Sequence, residues 1–97
     1  RDESGGAIEA VTDEEILDAY RLVARSEALF CEPASAASVA GLLKSHAAGR
    51  LDRGQVVVCT LTGHGLKDTQ WAIDDTAAPQ VIPVDAAAIA RALDLGA

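Results

Sequence analysis

The spacing of apolar positions changes several times along the chain, and each change marks the edge of an element. Ala7-Ile8-Glu9-Ala10-Val11 alternates and hints at a short extended segment. Thr12-Asp13-Glu14-Glu15 then has the form of a capping box, with Thr12 at the N-cap and Glu15 three residues on. Ile16, Tyr20, Val23 and Ala24 recur at helical spacing, with Leu17 beside them, and predict a helix over roughly 13–28. Leu29-Phe30-Cys31 is a short apolar run closed by Glu32-Pro33. Pro33 disfavours helix at Glu32 but suits the first turn of a helix that follows. That helix is expected from Ala34 to about Ala48, with Val39, Leu42, Leu43 and Ala47 on one face and Gly49 as its stop.

After a turn at Arg53-Gly54, the run Gln55-Val56-Val57-Val58-Cys59-Thr60-Leu61 is β-branched and apolar on both faces. This pattern predicts a central strand of a parallel sheet. It leads into Thr62-Gly63-His64-Gly65-Leu66-Lys67-Asp68, a glycine loop of the kind that binds ligands at strand ends in open α/β sheets. Pro79 to Val84 is expected to be extended, and Asp85 to cap a last helix through Leu93. The order predicts an α/β class with few strands. One strong strand lacks a comparable partner, and a sheet needs more strands than this. The chain is therefore expected to be part of a larger domain, and alone to expose apolar surface and associate.

Composition narrows the partners. The 97 residues carry a formal charge of −7, which repels nucleic-acid phosphates and anionic membranes. No apolar run reaches the length of a membrane span, and the start, Arg1 to Gly6, lacks the apolar region of a signal peptide. The absence of an initiator Met fits a fragment or a processed chain. Cys31 and Cys59 form no CxxC pair and are expected as reduced, buried thiols.

Two loops carry the candidate chemistry. Gly63 and Gly65 allow backbone N–H groups to approach a ligand, and Thr62 offers a hydroxyl at the strand's end; a tight turn without a ligand is the alternative. The Walker pattern is absent, so this is no P-loop. Glu32-Pro33-Ala34-Ser35-Ala36-Ala37-Ser38 opens a helix whose dipole favours anions, the alternative being ordinary N-terminal capping. Cys59 and His64, with Cys31 or His46, have no tight metal-ligand spacing, so no metal site is assigned. A catalytic Cys31–His64 pair is no better supported.

Taken together, Glu-Pro-Ala-Ser-Ala-Ala-Ser-Val-Ala-Gly (32–41) and Val-Val-Cys-Thr-Leu-Thr-Gly-His-Gly-Leu-Lys-Asp (57–68) resemble the C-terminal part of bacterial threonine synthases. The likeness runs from Glu9 to about Asp68, and more weakly through Pro83-Val84-Asp85. It implies that residues 1–97 are a C-terminal segment of the catalytic domain of an enzyme with the three-layer fold of tryptophan synthase β chains. Such an enzyme converts O-phospho-L-homoserine and water to L-threonine and phosphate with pyridoxal 5′-phosphate (PLP). It further implies a cytoplasmic homodimer when complete. By the same likeness Thr62 sits at the pyridine nitrogen of the cofactor, and no catalytic residue lies in this chain. His64 stands where the family often has Asn, and Thr69 where it commonly has Pro. The family's Schiff-base lysine and Gly/Asn phosphate loop belong to its N-terminal part. A related PLP-dependent threonine or serine dehydratase, and a non-catalytic α/β binding module, are the alternatives.

Lys44 and Lys67 are the only lysines, and neither lies in the family's Schiff-base context. The chain alone should therefore show no turnover. Treatment with PLP and borohydride should give no stoichiometric labelling of either lysine by peptide mass mapping.

Overall fold

The computed structural model describes residues 1–96. Helix α1 spans Asp13–Glu27 and helix α2 Ala37–Ala47, the latter entered through a 3₁₀ turn at Pro33–Ala36. A second 3₁₀ turn covers Gly65–Lys67, followed by α3, Thr69–Asp74, and α4, Ala86–Ala92. The capping box forms as the sequence predicts. Glu15 N donates to Thr12 Oγ1 at 3.2 Å and Thr12 N donates to Glu15 Oε2 at 2.8 Å. Asp85 caps α4 by accepting from Ala88 N at 2.8 Å. The first helix ends at Ala28, whose φ of 54° turns the chain towards the apolar run that follows.

The core lies where α1, the 3₁₀ turn and α2 meet. Ala19, Tyr20 and Val23 from α1 pack with Cys31, Ala36 and Ala40, flanked by Val11, Ile16, Val39 and Leu61. The face of α2 differs from the expected one: its buried position is Ala40, while Leu43 and Ala47 are exposed. The physical reason is size. Alanines let α2 approach α1 closely, and Tyr20 supplies the one large buried side chain. The leucines are left along a groove of about 580 Å³ between α2 and residues 51–57.

Three ion pairs tie distant segments to this core. Arg50 forks onto Glu9, and Arg21 onto Asp75 at the end of α3. Lys44 bonds Glu15 Oε2 at 3.1 Å and Ala10 O at 3.2 Å. Exposed pairs of this kind are screened by solvent and contribute little to stability. Their role is to fix where the polar N-terminal segment and α3 lie. Helix α3 has no expected counterpart; its short sequence lacks apolar periodicity, and the Arg21–Asp75 fork and a Gln70–Asp74 bond support it.

The predicted central strand is corrected. Among the described residues there is no strand ladder; the one β-type pairing is an isolated antiparallel bridge, Cys31 with His64. Ala7–Val11 and Pro79–Val84 likewise join no ladder. Val56 is 94% and Val58 86% exposed, although both carry the β-branched side chains of a buried strand. A strand is held by its neighbours' backbone groups, and none of the described segments offers them here. The radius of gyration, 18.8 Å, exceeds the roughly 12–13 Å of a compact domain of this length, and the extents are 64 × 29 × 18 Å.

Acid should loosen α1. The Thr12 N–H, followed by Lys44, holds the Glu15 carboxyl below its usual value, and Arg21 does the same for Asp75. A carboxylate whose folded value is depressed stabilises the fold above its unfolded value and loses that support as pH falls through the folded one. The helical circular dichroism signal should therefore fall on acidification through the carboxylate range, and Lys44→Met should flatten part of that slope.

Candidate functional site

The two loops singled out in the sequence meet. Glu32 N donates to Gly63 O at 2.9 Å and Gly65 N donates to Phe30 O at 3.0 Å, one bond on either side of the Cys31–His64 bridge. This short pairing lays Glu32–Ser38 alongside Thr62–Asp68. Pro33 at the start of the 3₁₀ turn fixes the backbone there, and Ser35 N closes the turn onto Glu32 O at 3.0 Å.

Ser35 is the hub of the junction. It is 4% exposed, and its Oγ accepts from Gly63 N at 2.7 Å. The same oxygen lies 3.2 Å from Thr62 Oγ1 and 3.5 Å from Glu32 Oε1. Ser38 Oγ reaches Ser35 O at 3.2 Å and Thr60 O at 3.3 Å. Neither the 3₁₀ turn nor α2 has a side-chain cap. The serines therefore do not serve as ordinary caps; they cross to the second loop. The sequence placed Ser35 at a helix start that favours anions or is simply capped, and the bond to Thr62 and Gly63, 27 and 28 residues away, has no local signal.

Beneath the glycine loop, Lys67 Nζ pairs with Glu32 Oε2 at 3.2 Å, and the Glu32 side chain is only 16% exposed. Lys67 is thereby a structural partner of Glu32. Both loop glycines answer to crowding by side chains. A Cβ on Gly63 would sit 2.2 Å from Glu32 Cδ, and one on Gly65 would sit 2.5 Å from the Phe30 ring.

Above the loop lies an open cleft of about 500 Å³, walled by Phe30, Leu61, Thr62 and His64. Thr62 is exposed there, at the mouth of the buried Ser35 network. The His64 ring meets Phe30 edge-on, centroids 5.7 Å apart at 84°. Its Nδ1 accepts from Leu66 N at 3.1 Å, which makes His64 the N-cap of the 3₁₀ turn, a role Asn fills through its side-chain oxygen. Burial pushes the Cys31 thiol up, which keeps it protonated and a poor nucleophile even opposite His64. Cys59 is free and half-buried, its Sγ 3.8 Å from Ser38 O. Among the described residues no group of three or more His, Cys, Asp and Glu gathers for a metal. No described helix is long and apolar enough to cross a membrane.

The sequence profile of the family described as "Pyridoxal-phosphate dependent enzyme" matches residues 1–63. The chain is 55% identical over 93 residues to a threonine synthase of Mycobacterium leprae, covering 96% of this chain and 26% of the relative. It is 54% identical over 84 residues to that of Halalkalibacterium halodurans, covering 86% of this chain and 24% of the relative. To the threonine synthase of Methanocaldococcus jannaschii it is 51% identical over 90 residues, 93% of this chain and 22% of the relative. The chain thus spans about a quarter of the length of the curated relatives it matches.

Gly63→Ala should displace the Glu32 side chain and break its contacts with Lys67 and Ser35, costing about 1–3 kcal/mol of stability. Glu32→Ala should make room for the new methyl group. In denaturant titrations the double variant should be less destabilised than the sum of the two single variants.

Proposed function

This chain belongs to the family of pyridoxal-phosphate dependent enzymes, and from that premise we propose that it forms the C-terminal part of a threonine synthase. The complete protein would convert O-phospho-L-homoserine and water to L-threonine and phosphate, in the cytoplasm and as a homodimer. The Schiff-base lysine and the phosphate-binding loop would lie outside these 97 residues. Identity of 51–55% over most of the chain, to relatives named threonine synthase, supports the synthase over a dehydratase of the same family. Membership of an enzyme family weighs against a non-catalytic module.

The observation that carries the proposal is exposed Thr62, which lines the cleft and whose hydroxyl lies 3.2 Å from that of buried Ser35. This arrangement fits the nitrogen edge of the PLP ring. A hydroxyl anchored on one side has hydrogen-bonding capacity left on the other, and the cleft is its open direction. When bound, PLP supplies an electron sink, tuned by the group at its ring nitrogen. Thr62 would hold that nitrogen with a neutral group, which does not force it to be protonated as a carboxylate would. The nearby carboxylate, Glu32, has its charge balanced by Lys67. Phe30 and Leu61 would wall the ring with apolar surface.

The complete enzyme should release phosphate and form threonine from O-phospho-L-homoserine; ammonia release from serine or threonine as the main activity would point to a dehydratase instead. Thr62→Val keeps the shape and deletes the hydrogen bond. Leaving a buried acceptor unpaired costs about 1–3 kcal/mol, so PLP affinity in a spectrophotometric titration should fall roughly five- to 150-fold. Thr62→Asp should protonate the ring nitrogen and shift the absorbance of the bound cofactor. Unchanged affinity and spectra in both variants would remove Thr62 from the site.

A further inference from the structure

With Thr62 taken as the ring-nitrogen partner, the premise on which this rests, we propose that Ser35 is a positioning residue that aims the Thr62 proton into the cleft. A serine hydroxyl has one proton to give and two lone pairs. At Ser35 one lone pair receives Gly63 N–H at 2.7 Å, a short and buried bond. The proton has two acceptors within reach, Thr62 Oγ1 at 3.2 Å and Glu32 Oε1 at 3.5 Å. The Glu32 oxygen is the farther, and Lys67 Nζ already lies 3.4 Å from it and 3.2 Å from the other carboxylate oxygen. In the proposed arrangement the Ser35 proton goes to the nearer of the two, Thr62.

The direction of this bond decides what Thr62 can do. With a proton received from Ser35, Thr62 Oγ1 keeps its own proton unclaimed, and the exposed side of Thr62 is the cleft. A neutral pyridine nitrogen has a lone pair and no hydrogen, so only a donor serves it. Were Thr62 to donate to Ser35 instead, it would offer the cleft lone pairs alone. Ser35 also occupies the Gly63 N–H, so the neighbouring backbone donor stays turned away. Its backbone is fixed by the Pro33 turn and its side chain is almost fully buried, so the oxygen that selects the direction does not wander.

A double-mutant cycle on cofactor affinity, in the complete enzyme that carries this chain, tests the proposal. PLP binding is followed by absorbance titration in the parent, Ser35→Ala, Thr62→Val and the double variant. Ser35→Ala should weaken binding roughly three- to tenfold in the parent background. In the Thr62→Val background the same change should weaken it by less than about twofold, because the proton that Ser35 aims is gone. Equal losses in both backgrounds would overturn the proposal and leave Ser35 as a prop for the Gly63 backbone. A loss in Thr62→Val with none in Ser35→Ala would defeat the role of Ser35 alone. No loss in Thr62→Val would remove the premise about Thr62 as well. Ser35→Cys nearly keeps the volume but donates weakly, and should fall between the parent and Ser35→Ala. Failure of both Ser35 variants to fold would make the residue architectural and would also overturn the proposal.

Discussion

Two backbone hydrogen bonds, Glu32 N to Gly63 O and Gly65 N to Phe30 O, hold everything of functional interest in this chain. They flank the Cys31–His64 bridge and bring the start of α2 against the glycine loop. Once the two strands of backbone are this close, Ser35 can reach Gly63 N and Thr62 Oγ1, and Lys67 can reach Glu32. The same closeness excludes side chains at positions 63 and 65, where Glu32 and Phe30 already occupy the space. The glycines are thus demanded by what lies beneath them, and the geometry of the loop follows from the pairing.

Local chemistry was readable from the sequence where its determinants are local. Thr12 and Glu15 cap α1 as their spacing dictates, Asp85 caps α4, and Pro33 opens the turn before α2. Residues 32–38 and 62–68 were recognisable as the candidate site because small residues and glycines mark close backbone approach. What was not readable depends on partners far along the chain. The serines of the first loop looked like helix caps and serve the second loop instead. Lys44 holds Glu15 across 29 positions of chain, with no local signal for the pair. The valines 56–58 carry an unmistakable strand composition, yet a strand exists only when another lies beside it.

That last mismatch has an energetic side. The packed core is small and rich in alanine, with Tyr20 as its one large member, while Val56, Val58, Val81, Val84 and Ile8 stand more than four-fifths exposed. Each fully buried side chain of this type is worth about 1.5–3 kcal/mol, so apolar surface comparable to the core itself lies open to solvent. The distribution suits a segment whose outer faces are covered by other parts of a larger protein, in keeping with a chain about a quarter as long as its relatives.

The bonds that join Ser35 to Thr62 and Gly63 link residues 27 and 28 positions apart, and all of α2 lies inside that span. Closing a loop of this size costs about 3 kcal/mol of chain entropy before any contact is made. Helix α2 lies inside this loop and packs against α1, so the helix pair and the hydroxyl network restrain the same stretch of chain. The junction is in this sense the latch of that loop: while it holds, the ends of α2 are tied from both sides.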